Sequence, residues 1–206
     1  MAPIQSHPSR LFAALIAVNA GAALLAQVRV SAGLLPPGSG LGPLLWLLAL
    51  YFTVLSNALV AAIYGASALS GWDLPATVAA GAVLTMALVG VVYHFILAGL
   101  WQPVGLAWWA DQGLHTAVPL LVLAHWLTCA PKSGLRPVDP FLWLAWPAVY
   151  LAYGLSRGLM TGRYAYGFLD IGQLGAAQVA LNVTLLVAAL LVAGIALRAI
   201  AGRIGG

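Results

Sequence analysis

"SNALVAAIYGASALSGWDLPATVAAGAVLTMALVG" runs from Ser56 to Gly90 and contains a single charged side chain, Asp73. Its middle, Ser70-Gly71-Trp72-Asp73-Leu74-Pro75, has the residues of a tight turn, with Pro75 near the start of a following helix. The apolar runs on either side are each long enough to cross a bilayer, which takes about 20 residues per helix. Two spans joined by a short turn define an all-α membrane protein, and the rest of the chain is read outward from there.

Composition agrees. The chain has 206 residues, 63% hydrophobic and 6% charged. Soluble domains carry about a quarter charged residues, so that class is excluded. The pI of about 9.6 rests on only eight Lys and Arg. They lie scattered near segment ends, which makes them topology signals rather than a nucleic-acid surface. Cys129 is the sole cysteine, so no internal disulfide can form.

Hydropathy predicts a six-transmembrane-helix bundle, a single polytopic domain over 1–206, with spans at roughly 11–28, 43–69, 75–99, 107–129, 141–160 and 174–197. Ala20-Gly21-Ala22 fits a signal-peptidase site but lies inside the first apolar run, so a retained first span is expected. Leu34 to Gly40 forms a turn-rich loop, Trp101, Trp108 and Trp109 form an interfacial belt, and Gly202 to Gly206 is expected to fray. Six spans place both termini on one side with Arg10, Lys132, Arg136, Arg198 and Arg203, against Arg29, Arg157 and Arg163 on the other. The majority marks the cytoplasmic side, so both termini are expected there.

Polar side chains at membrane depth are costly, about 2.5–3.5 kcal/mol for a central Asp, Lys or Arg, and therefore should face the bundle interior. Asp111 and His115 are spaced i,i+4 and share a helix face. The carboxylate can orient one imidazole nitrogen and leave the other as a base, or the pair can simply be an interfacial Asp and a hydrogen-bonded His. Thr53 is predicted about 15 Å below the outer end of its span and His115 about 12 Å below the start of its own, at one level. Asn57 lies one turn from Thr53, and Gln178 and Asn182 are spaced i,i+4; amides serve as oxyanion donors or as interhelical braces. Arg157 either snorkels to headgroups or holds a substrate carboxylate. His94 against His115 is geometrically able to ligate haem, and Asp111 with His115 is able to relay protons in a transporter. No spacing supports a zinc site, and no residue pattern demands a cofactor.

Three stretches in order, "LYFTVLSNALVAAIY", "DQGLHTAVPLL" and "GRYAYGFLDIGQLG", with Asn182 in the last span, resemble the androgen-induced-gene and androgen-dependent TFPI-regulating protein family and its bacterial relatives. Members of that family hydrolyse fatty acid esters of hydroxy fatty acids (FAHFAs) with an intramembrane Thr nucleophile and a His. The resemblance covers spans 2 through 6 and implies Thr53 as nucleophile and His115 as base. It implies a membrane lipid ester as substrate and a bacterial inner membrane as location. Asp111 would then orient His115, Asn182 or Asn57 would stabilise the oxyanion, and Arg157 or Arg163 would hold the substrate carboxylate. The chain departs from the family at three places: mammalian members carry an amide at the position of Asp111, the proline at Pro119 is displaced by one, and Gly167 stands where their loop has Pro.

Overall fold

The computed structural model describes residues 7–205; Met1 to Ser6 and Gly206 lie outside the described residues. Ten α-helices make up the fold, and no β-strand occurs among the described residues. They are α1 (His7–Ala32), α2 (Leu41–Leu48), α3 (Phe52–Ser70), α4 (Ala76–Val92), α5 (Leu106–Gln112), α6 (Val118–Thr128), α7 (Asp139–Leu142), α8 (Ala145–Thr161), α9 (Ile171–Leu174) and α10 (Ala176–Ile204). Contrary to expectation, α10 carries Gly202 and ends only at Ile204.

Among the described residues, four helical segments are long and apolar enough to cross a membrane: His7–Ala32, Phe52–Ser70, Ala76–Leu100 and Ala176–Ile204. Their outward side chains are apolar: Leu15 and Val18 of α1, and Leu185 and Val192 of α10, are all exposed. Such surface is natural against lipid and would be a liability in water. The two other expected spans are helical but less regular. Leu106 to Thr128 is one helical path interrupted by a π-helical turn, Gly113–Ala117, while α8 has 17 residues.

The span expected over 43–69 is not one helix. It breaks at Ala49 to Tyr51, where Tyr51 is extended (φ −100°, ψ 124°), and α3 starts afresh at Phe52. The Tyr150 hydroxyl donates to the Leu50 carbonyl at 2.7 Å, satisfying a backbone acceptor that the break releases. Thr53 therefore stands in the first turn of its helix rather than about 15 Å along a continuous span.

Helix α1 packs along α3 and also against α5 and α6; α4 packs on α6 and α10. The main core joins Ile16, Val60, Tyr64, Met86, Val122 and Trp126. Small residues set the spacing around the π turn. A Cβ on Gly113 would come 2.6 Å from the Ala23 Cβ, so only glycine lets α1 lie against that turn. At the Arg10 end, the Arg10 guanidinium donates to the Ala68 carbonyl at 2.7 Å and so caps α3. The opposite end, which carries Arg29, gathers the C-terminal part of α1, the start of α3, the Trp101 loop and the segment between α8 and α10.

Candidate functional site

These elements enclose a cavity of about 290 Å³ whose wall includes Thr53, Tyr93, Asp111, His115 and Tyr166. Gln27, Ser31, Tyr51 and Trp101 also line it. Thr53 and Tyr166 belong as well to the wall of a second, almost wholly apolar compartment formed with Leu88, Pro147, Leu151 and Leu186. Thr53 thus stands at the junction of two spaces.

The break before α3 shapes this junction. Tyr51 precedes the helix in extended conformation and offers no side-chain cap to its first turn. The first N–H groups of a helix have no intrahelical acceptor, so those of Phe52 and Thr53 remain free to donate. The half-buried Tyr166 hydroxyl fills that position, against the Thr53 side chain and the N–H groups of Phe52 and Thr53. Burial pushes the Tyr166 pKa up, and the opposing pull of Thr53 and Phe52 does not overcome it, so the hydroxyl keeps its proton.

His115 is held from three sides. Its Nδ1 lies 3.1 Å from the Asp111 main-chain oxygen and 3.3 Å from Asp111 Oδ1. A carbonyl only accepts, so Nδ1 carries the proton and Nε2 is left as the basic nitrogen. Tyr93 lies flat on the imidazole, with centroids 4.0 Å apart and planes 16° off parallel. The Tyr93 hydroxyl donates to Asp111 Oδ2 at 2.5 Å, and Gln112 Nε2 donates to the same oxygen at 3.3 Å. Asp111 is 1% exposed; the two donors meet Oδ2, while Oδ1 is left with only the 3.3 Å approach of His115 Nδ1. Among the described residues no hydrogen bond joins Thr53 directly to His115; both line the same cavity.

The remaining sequence candidates have other surroundings. Asn57 Nδ2 donates to the Thr53 carbonyl at 2.9 Å and to the Leu114 carbonyl at 3.2 Å, bracing the first turn of α3 against the π turn. Asn182 Nδ2 donates to the Phe168 carbonyl at 2.8 Å and accepts from Gln178 at 2.9 Å, which seats the Tyr166 segment on α10. Arg157 is buried, with its guanidinium 3.8 Å above the Trp46 ring and Nη1 donating to the Tyr153 hydroxyl at 2.7 Å. Arg163 is exposed, and neither arginine lines the cavity. Tyr93 packs against both His94 and His115, its ring centroid 5.0 Å from the first and 4.0 Å from the second.

Tyr93 and Tyr166 were not singled out from the sequence. A lone tyrosine near the end of an apolar run is ordinary for a membrane helix, so Tyr93 gave no signal. Tyr166 did offer one, since it lies in the stretch "GRYAYGFLDIGQLG" that carries part of the family resemblance. Compared with protein-family models, curated proteins and solved structures, the chain matches none.

Proposed function

We propose that this protein is an intramembrane lipid ester hydrolase that cleaves fatty acid esters of hydroxy fatty acids, with Thr53 as nucleophile and His115 as base. The observation that carries the reading is the junction at Thr53: Thr53 and His115, from separate helical elements, line one cavity, and Thr53 also borders an apolar compartment. The cavity of about 290 Å³ gives one chain of such an ester room beside Thr53, and the apolar compartment, about 40 Å³, takes a short stretch of the other. The resemblance of three ordered stretches to the androgen-induced-gene family supports the same chemistry.

Thr53 Oγ1 attacks the ester carbonyl carbon while its proton passes to His115 Nε2, directly or through one water in the intervening space. The carbonyl oxygen takes up the negative charge. The Tyr166 hydroxyl, itself set against the first-turn N–H groups of α3, donates to it. The C–O bond to the hydroxy fatty acid then breaks, and His115 returns the proton to the departing alkoxide. Water attacks the acyl-threonine with His115 again as base, releasing the fatty acid and restoring Thr53. Asp111 holds the imidazole rather than taking its proton. Asn57 and Asn182 act as braces, and the cation that would meet a substrate carboxylate is neither Arg157 nor Arg163 in the present arrangement. Six spans with both termini cytoplasmic, in a bacterial inner membrane, would put this site toward the outer leaflet.

The test is labelling in detergent with a fluorophosphonate probe, alongside hydrolysis of a FAHFA. Wild type is expected to label and to hydrolyse; Thr53→Ala and His115→Ala are expected to do neither while eluting as folded protein. Full activity in either variant overturns the assignment.

A further inference from the structure

A groove of about 310 Å³ lies outside the cavity, between α4 and α6. Its walls are apolar and include Val83, Met86, Ala87, Pro119, Leu120 and Leu123, and one end is polar, formed by His94, Thr116 and the outer side of His115. Ala87, Val91 and Leu120 are exposed, so the groove opens toward lipid. From Val83 to His94 the helical path rises about 16 Å. That is about half of the ~30 Å hydrocarbon core, the depth of one leaflet.

Two π-helical turns, Tyr93–Leu97 and Gly113–Ala117, build the polar end by presenting His94 and Thr116 to each other. The directions of the hydrogen bonds there are forced. The Asp111 carboxylate accepts from Gln112 Nε2 at 3.3 Å, so Gln112 Oε1 is the atom 3.2 Å from Thr116 Oγ1. Thr116 must donate to it. Thr116 Oγ1 has then no proton left for His94 Nε2 at 3.1 Å, so Nε2 carries the proton and donates. His94 Nδ1 is left as an acceptor, on an exposed ring at the head of an apolar groove. A nitrogen acceptor at membrane depth is costly unless a donor meets it.

We infer that the groove between α4 and α6 binds one long-chain fatty acid, its carboxylic acid O–H donating to His94 Nδ1 and its tail lying along Val83 to Leu123. A fatty acid in the bilayer supplies both features the groove asks for: one polar donor and one chain of leaflet length. The site deepens the proposed function, because a fatty acid is a product of that reaction and His115 lines both the groove and the catalytic cavity. Binding itself requires no hydrolysis, so it is measured in Thr53→Ala, where its failure is distinct from failure of the catalytic reading.

The experiment is photolabelling of Thr53→Ala in lipid nanodiscs with a diazirine-bearing palmitic acid, mapped by peptide mass spectrometry. Labels are expected on peptides of α4 and α6. Ala87→Trp and Val91→Trp, both at exposed positions, are expected to lower labelling at least fivefold without unfolding the chain. Excess palmitic acid should compete about fivefold better than its methyl ester, which lacks the O–H donor. Labelling unchanged by both tryptophans, labels confined to the Thr53 and Tyr166 peptides, or equal competition by acid and ester would each overturn the inference.

Discussion

Asn57 on α3 donates its side-chain amide to the main-chain carbonyl of Leu114 at 3.2 Å, while the same nitrogen holds the Thr53 carbonyl at 2.9 Å. One buried amide therefore fixes the turn that carries Thr53 to the turn that carries His115. Its Oδ1 finds no partner among the described residues, so the amide is retained for its donors. Replacing it should loosen the register of the two helices. Asn57→Leu is expected to cost about 1–3 kcal/mol by leaving the Leu114 carbonyl unsatisfied. It should lower hydrolysis more than it lowers the melting temperature would suggest. Thermal unfolding in detergent beside steady-state kinetics measures both, and unchanged kinetics would count against the bracing role.

Tyr93 and Asp111 act on His115 by different routes, and two variants separate them. Asp111→Asn keeps the main-chain carbonyl that orients Nδ1 but removes the charge beside it. A partial loss is expected, about tenfold in kcat, because the main-chain carbonyl still orients the ring. Tyr93→Phe keeps the ring stack and removes the donor to Asp111 Oδ2, together with the hydroxyl's contact with Trp101. It should cost about threefold in kcat while leaving the protein folded. A kcat identical to wild type in Asp111→Asn would show that the carboxylate does not act on the imidazole.

Tyr166→Phe tests the donor at the start of α3. The ring remains on Phe168, with which it stacks at 5.5 Å, so the segment should stay in place. Loss of the hydroxyl is expected to lower kcat by about ten- to a hundredfold with KM nearly unchanged, less than the loss of a sole oxyanion donor because the helix N–H groups remain. A rise in KM with kcat intact would assign Tyr166 to substrate binding instead.

Asp139 gives a pH-dependent stability at the far end of the molecule. Burial alone would raise its pKa, but the Arg136 N–H at 2.6 Å, the Arg136 guanidinium at 3.1 Å and the Thr77 hydroxyl together hold the carboxyl below its ordinary value. A depressed folded-state pKa stabilises the protein above the unfolded value, about 3.9 for Asp, and that contribution fades as pH falls through the folded value. Asp139→Asn should therefore be less stable than wild type at pH 7, and the gap should close below about pH 4. Melting curves across that range read it directly; a gap independent of pH would mean that the carboxylate charge is irrelevant. The exposed Arg136 guanidinium is screened, so most of the effect should come from the buried N–H contact.

Much of this architecture was legible in the sequence because hydropathy and turn chemistry are local. The Gly71 turn, Pro75 ahead of α4 and the long apolar run of α10 needed no tertiary information. The break at Ala49 to Tyr51 was not legible, since no glycine, proline or polar residue marks it. It is stabilised from a distance, by a Tyr150 hydroxyl 100 residues further on. The π turns were hidden for a similar reason: nothing in "YHFIL" or "GLHTA" distinguishes a five-residue repeat from an ordinary helical turn. For the site, the i,i+4 spacing of Asp111 and His115 predicted their contact. That spacing could not say that the main-chain carbonyl, rather than the carboxylate, would lie closest to Nδ1, or that a tyrosine from another helix would cover the ring.

The clamp on His115 has one further consequence. With Nδ1 turned to a carbonyl and a phenol ring laid over its face, the imidazole is committed to one tautomer before any lipid arrives. Under the proposed chemistry, nothing then needs switching on. Discrimination between one ester and another falls to admission, to whichever chains can enter the larger cavity and come to rest at the threonine.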